Sequence, residues 1–338
     1  MSAGKPSSRG FLATGTFLAV LVTLPLLGQS SPTEPTPPRS VIGAQELVEV
    51  ERPPSGELEN AGNAILPAIS VNLGSRVYRS TNIARVETAD SAMVVENNLG
   101  INASWAETMI AGYRVKPSLI LLGQRAYHGR FHLSGKDKKK DDLQAMDYEF
   151  RMAMLAMEIG LTESWTTNVS YEFDKLMDFY EGEALYNAKA PTLSIRKMWQ
   201  MTKKTIITAE PRLRYASTQT LKQHPVAGAF FDDDGDNMQL SSTLTLIHSF
   251  GPEDRGLLMP SMGFMRTQYL RDDATGRIDY LLTAALNASY QWKPWLGSQV
   301  FANFGHKFAN SKGERLTGAG SKYDVWDFGL ALSGNWSF

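Results

Sequence analysis

The sequence predicts an all-β protein, an antiparallel up-and-down transmembrane β-barrel of about twelve strands. Three observations predict it. Apolar and polar side chains alternate with a two-residue period in segment after segment. Short turns exchange regularly with longer polar loops. Beyond Ser30 no apolar run approaches the roughly 20 residues that a spanning helix requires, so any membrane crossing must be made by strands.

Composition narrows the function classes. The 338 residues carry 34 basic against 35 acidic side chains, a balance that suggests no nucleic-acid partner. Without cysteine there is no lipid-anchored cysteine, disulfide framework, thiolate metal site or thiol nucleophile. No cofactor is expected.

The N-terminal segment argues for export. Lys5 and Arg9 precede an apolar run from Phe11 to Leu27, broken for helix formation only at Pro25, and Gly28, Gln29 and Ser30 offer small or polar residues to a signal peptidase. Residues 1–30 are expected to be a cleavable secretory signal. A membrane anchor is the alternative, weakened by the short run and by Thr14, Gly15, Thr16 and Thr23 within it. Residues 31–64, with Pro32, Pro35, Pro37, Pro38, Pro53 and Pro54, are expected to form an extended periplasmic tether. Inside it, Glu46 to Glu51 faintly resembles the box by which TonB-dependent transporters engage their energiser. Such barrels have about 22 strands plus a plug, and this chain is too short for one. The barrel is assigned to residues 65–338.

The last strand carries the clearest alternation. Trp326, Phe328, Leu330, Leu332, Trp336 and Phe338 share one face, and Asp327, Gly329, Ala331, Ser333, Asn335 and Ser337 share the other. From Met238 to Phe250, Met238, Leu240, Leu244, Leu246 and Phe250 oppose Gln239, Ser241, Thr243, Thr245 and Ser249. From Tyr280 to Trp292, Leu282, Ala284, Leu286, Ala288, Tyr290 and Trp292 oppose Thr283, Ala285, Asn287, Ser289 and Gln291. An apolar exterior around a wet interior suits all three. The same pattern places strands near 67–79, 91–105, 114–128, 146–160, 165–177, 189–200, 205–216, 237–250, 257–269, 278–292, 296–308 and 324–338. Two are less regular, because Leu119 to Leu122 and Leu257 to Met259 are apolar on both faces.

The connections add independent information. Short turns are expected near Ala106 to Tyr113, Leu161 to Ser164, Met201 to Lys204, Gly251 to Gly256 and Lys293 to Trp295, and longer polar loops between the other strand ends. An even strand count with short periplasmic turns puts both termini in the periplasm of a bacterial outer membrane. A soluble β-sandwich has no reason for this asymmetry.

The alternating last strand, with Trp326, Phe328, Leu330, Leu332, Trp336 and the final Phe338, resembles the insertion signal of bacterial outer-membrane proteins. The resemblance implies insertion by the barrel-assembly machinery, which must template an unpaired strand edge before closure. Over residues 65–338 the chain also resembles the uncharacterised porin-like barrels of Gram-negative bacteria, with Tyr78 to Ile83 as the first rim. No functional residue follows from that likeness.

Several residues could carry chemistry. Arg76, Glu96, Glu149, Arg151, Glu172, Asp174, Arg196, Glu210, Arg212, Arg214, Asp279, Lys307 and Asp327 are expected to face inward, because charges are barred from the lipid face, where a midplane Arg or Lys costs about 2–4 kcal/mol. They form either a charged, hydrated lumen that selects small solutes or a salt-bridged interior that closes a narrow barrel. Arg196, Glu210, Arg212 and Arg214 make the most concentrated basic patch, and Glu172 and Asp174 are the candidates to neutralise it. His128, His132, His224, His248 and His306 form no arrangement resembling the outer-membrane phospholipase, so no catalytic site is expected. Asp232, Asp234 and Asp236 are a weak Ca²⁺ candidate without EF-hand spacing. Lys136, Lys138, Lys139 and Lys140 could face lipopolysaccharide phosphates, a solvated charge run being the plainer role. The expected partners are outer-membrane lipid and lipopolysaccharide, with the assembly machinery during insertion. The leading function is a porin-like passive channel for small polar solutes. The alternatives are a closed structural or adhesion barrel working through its loops, and, third, a lipid-modifying membrane enzyme.

Overall fold

A computed structural model describes residues 66–83, 91–144, 147–180, 182–220, 236–270, 276–309 and 322–338. The expected signal segment, the tether and its box-like stretch lie outside the described residues. The strands are β1 (Ala68–Ser80), β2 (Ala92–Ser104), β3 (Thr108–Ile110), β4 (Tyr113–His128), β5 (Tyr148–Gly160), β6 (Trp165–Asp178), β7 (Ala184–Thr202), β8 (Thr205–Thr220), β9 (Asn237–Phe250), β10 (Gly256–Tyr269), β11 (Ile278–Lys293), β12 (Leu296–Ala309) and β13 (Tyr323–Ser337).

Every pairing is antiparallel between neighbours in the chain, except at two closures. Strand β2 pairs with β4, bypassing β3, and β1 pairs with β13, so twelve strands form a closed barrel and no sheet edge is left in the wall. At the seam Phe338 donates its backbone N–H to the Ile69 carbonyl at 2.9 Å, and Ile69 donates to the Phe338 carbonyl at 3.3 Å.

One expected turn is not a simple turn. The segment Ala106 to Tyr113 contains β3, which pairs only with β4 and prolongs that hairpin past the end of the β2–β4 ladder. Ala111 and Gly112 both have positive φ, 52° and 86°, the left-handed pair that a two-residue hairpin requires. Prolines mark other irregularities. Pairing is interrupted around Pro191 and Pro211 in the β7–β8 ladder and around Pro260 in the β9–β10 ladder, where proline offers no N–H.

The two faces separate as the alternation requires. Leu240, Leu244, Leu282, Leu286, Leu330 and Leu332 are exposed on the outside, while Gln239, Thr245, Asn287 and Asp327 are buried within. Aromatic residues ring the exterior at two heights. Near the short turns Trp295 stacks on Trp336 with centroids 6.3 Å apart. Near the long loops Phe304 lies 4.7 Å from Trp326 and Tyr280 lies 5.0 Å from Phe308. The stretch of β4 that is apolar on both faces has a specific cause. Ile120 and Leu122 of β4 point inward and pack with Met152 and Met154 of β5, giving this part of the lumen a greasy wall.

Candidate functional site

The lumen is the candidate site, and its walls differ in chemistry. Across β6 to β8 the wall is ionic. Arg212 donates to Glu172 at 2.7 Å, and Arg214 spans from Glu172 at 3.2 Å to Asp174 at 3.0 Å. Both arginines belong to β8 and both carboxylates to β6, so the side chains cross the intervening β7. They do so over Ala188 and Ala190, the register partners of Asp174 and Glu172, whose methyl groups leave room for a guanidinium. Nearer the turns Arg196 of β7 pairs with Glu210 of β8 at 3.0 Å. The structure thus brings all six residues of the predicted charge patch onto one wall as compensated pairs.

Two further ionic groups stand on the remaining strands. Asp279 of β11 accepts from Arg277 at 2.5 Å and from Lys307 of β12 at 2.8 Å. All three are almost fully buried. On β1 and β2, Arg76 is paired with Glu96, which also accepts from the Tyr78 hydroxyl at 2.7 Å. Tyr78 in turn meets Phe301 edge-on at 5.9 Å, and the Arg76 guanidinium lies over both rings. A layer of aromatic and paired charged groups on β1, β2 and β12 therefore lies inside the barrel. Arg277 lies just before the strand expected at 278–292, and its two-residue spacing from Asp279 is the signal of its inward role.

Between that layer and the short turns lies a cavity of about 1140 Å³, bounded at its inner end by Arg76 and Phe301 and at its mouth by Trp105, Glu107, Lys116 and Arg255. Its wall, from β2 through β1 and β13 to β11, is neutral. Asn98, Asn102, Asn287, Gln299, Asn303 and Asn335 line it, with Ser70, Ser289 and Ser333 between them. These amides were legible as the polar half of each alternation. Their convergence was not, because Asn98 and Asn303 lie far apart in the chain.

At the opposite end the loop between β4 and β5 folds back over the rim. Its short helix α1 (Lys140–Leu143) places Leu143 against Ile83, Ala92 and Val94. Asp137 accepts from Arg79 at 2.9 Å and from the backbone N–H groups of Leu133 and Ser134. Asp147 accepts from the His128 backbone N–H at 2.7 Å, from Arg130 at 2.5 Å and from the Tyr180 hydroxyl at 2.8 Å. Burial alone would raise the Asp147 carboxyl, but the hydrogen bonds from His128 and Tyr180 outweigh it and hold the group below the usual carboxylate range.

Two expected inward charges face outward instead. Glu149 and Arg151 share the outer face of β5 with Leu155, and Glu149 accepts from Arg125 of β4 at 2.9 Å and from Arg151 at 2.6 Å. They sit within four residues of the loop end, above the hydrocarbon level, where a charge is cheap. Lys175 and Lys189 on β6 and β7 are exposed on the same outer face. Of the weak Ca²⁺ candidates, Asp232 and Asp234 lie outside the described residues. Asp236 is buried and accepts from the Thr218 backbone N–H at 2.8 Å and the Tyr215 hydroxyl at 3.1 Å, a loop-anchoring role. His248 meets Thr205 at 3.1 Å and His306 meets Asp324 at 2.6 Å, both on the outer face. His128 is buried at the loop end, His132 is exposed and His224 lies outside the described residues. Lys136, Lys138, Lys139 and Lys140 are exposed in the β4–β5 loop. Trp326, Phe328, Leu330, Leu332, Trp336 and Phe338 are all exposed on the outer face of the terminal strand.

No protein-family model matches this sequence, and no curated protein matches it. Among solved structures the chain is similar to an outer membrane channel from Pseudomonas putida F1, at 10% identity and TM-score 0.47, over 80% of this chain and 96% of that one. It is similar to a bacterial polysaccharide outer membrane secretin at 11% identity and TM-score 0.43, over 81% and 100%. It is also similar to the NanC porin at 10% identity and TM-score 0.43, over 78% and 98%.

Proposed function

We propose that this chain is a bacterial outer-membrane barrel, porin-like, that admits small polar solutes into a hydrated lumen. The observation that carries this reading is the pairing of an exposed leucine and aromatic exterior with an interior cavity of about 1140 Å³ whose lining includes Asn102, Gln299 and Asn335. In water such an exterior would aggregate, whereas in a bilayer it is the required surface. The short turns and both termini then face the periplasm and the long loops face outward. Phe338 and the aromatic residues before it are the expected contact of the barrel-assembly machinery. The exposed cations Arg125, Arg151, Lys175 and Lys189 at the outer rim of β4 to β7, with Glu149 among them, suit the phosphates of outer-leaflet lipopolysaccharide.

A second reading, a closed structural or adhesion barrel, is favoured by the Arg76, Tyr78 and Phe301 layer and by Leu143 at the rim. Single-channel recording in planar bilayers separates the two. Discrete current steps support the channel, and a silent bilayer containing folded barrel supports the closed form.

A further inference from the structure

We infer that the loop-end exterior of β5, β6 and β7 holds one diphosphorylated glycolipid, lipid A, at a fixed place on the barrel. The inference rests on the reading of this chain as an outer-membrane barrel, and names a lipid partner for one sector of its surface. Arg151 of β5 and Lys175 of β6 are direct register partners, and both are exposed on the outer face. Like charges directly opposite one another destabilise a strand pair, so an anion seated between them removes the cost. Lys189 of β7 adds a third exposed cation, since its register partner on β6 is Phe173, the outward residue next to Lys175. Lys175 and Lys189 carry no ion pair among the described residues. Arg151 donates to Glu149 at 2.6 Å, but Glu149 also accepts from Arg125 of β4 at 2.9 Å, so this carboxylate is divided between two guanidinium groups.

Depth and spacing name the ligand. All three cations stand within five residues of the loop end of their strands, the level at which lipid headgroups meet a barrel. From β5 to β7 they reach across about 10 Å, a width that suits a headgroup with a phosphate at each end of a disaccharide better than a single phosphate. Towards the membrane centre Phe173 and Tyr171 face outward with rings 4.8 Å apart, and Leu155 stands opposite Tyr171, a surface for acyl chains. Other basic residues on the described strand exteriors at this end are already engaged, Arg79 with Asp137, Arg266 with Gln268 and His306 with Asp324. Asp178 and Glu183 lie beyond the patch at the loop, where Asp178 accepts from the Tyr180 backbone N–H at 2.8 Å.

The test is native mass spectrometry of the full chain, folded in detergent micelles and titrated with lipid A, monophosphoryl lipid A, phosphatidylglycerol and inorganic phosphate. One saturable lipid A adduct is expected, about tenfold or more tighter than the monophosphoryl form and phosphatidylglycerol, with no inorganic phosphate retained. Lys175→Gln and Lys189→Gln should each weaken the adduct by about tenfold, the scale of one lost charge-assisted hydrogen bond, whereas Arg266→Gln should leave it unchanged. A second readout separates binding from folding. In detergent alone Lys175→Gln should keep or raise the temperature of heat modification, because it removes a like-charge pair, while added lipid A should raise that temperature in the parent and not in the variant. Lipid A that binds no better than phosphatidylglycerol, inorganic phosphate that binds as well as lipid A, or an equal loss in the Arg266 variant overturns the site. The barrel reading fails separately: a chain recovered from the periplasm without detergent removes the membrane, whereas a folded barrel that conducts and retains no lipid A removes this site alone.

Discussion

Arg214 on β8 lies 3.0 Å from the Asp174 carboxylate on β6, with the alanine side chains of β7 between them. The contact converts what sequence presents as a basic patch into a compensated wall. Removing the carboxylates while keeping the cations should therefore unmask the arginines. In a conducting barrel Glu172→Gln with Asp174→Asn is expected to shift reversal potentials in a salt gradient towards anions, from a parent with little preference. An unchanged reversal potential would show that ions do not pass this wall.

The opposite substitution tests the same balance from the other side. Replacing Arg196, Arg212 and Arg214 with glutamine leaves Glu172, Asp174 and Glu210 without these partners and should favour cations. Removing one member of a buried pair costs about 3–5 kcal/mol, so a drop in the temperature at which heat modification occurs is expected as well. Full thermal stability of the triple variant would contradict the pairing.

Much of this was legible in the sequence, and the omissions have causes. Twelve strands followed from alternation because lipid on one side and water on the other impose a strict two-residue period. Strand β5 defeated the same rule. Phe150, Met152 and Met154 on one face and Ala153, Leu155 and Met157 on the other are all apolar, so Glu149 and Arg151 decided its orientation, and at the rim charge no longer marks the inside. Strand β3 was missed because three residues are too few to show a period. The amide wall needs the register of five strands at once, which no local window contains.

The rim loop should respond to Asp147. Asp147→Asn is expected to speed tryptic cleavage at Lys138, Lys139 and Lys140 severalfold at neutral pH. The sign of the pH dependence follows from the lowered carboxyl: its contribution is present above the ordinary value near about 3.9 and is lost as pH falls through the lower folded value. Hydrogen exchange of residues 133–143 should stay constant from about pH 8 to about pH 5 and rise only in stronger acid. A rise near neutrality would assign the anchoring elsewhere.

The outer face carries its own test. Leu286, exposed at the middle of β11, faces the hydrocarbon centre, and Leu286→Arg should destabilise the folded barrel by about 2–4 kcal/mol. Gln268→Arg, outward near the loop end, should cost no more than about 1 kcal/mol. Equal costs in denaturant titrations of barrel reconstituted in lipid would remove the assigned depth. Deleting Phe338 should cut the assembled protein sharply while leaving export intact. Unchanged membrane levels would show that closure at Ile69 proceeds without a terminal aromatic signal.

The most direct measurement is current through the purified full chain in a planar bilayer, recorded in symmetric salt and then in a salt gradient. The account predicts discrete conductance steps with little preference between cation and anion, as compensated walls and a neutral cavity require. Folded, heat-modifiable protein that leaves the bilayer silent at every voltage would contradict it.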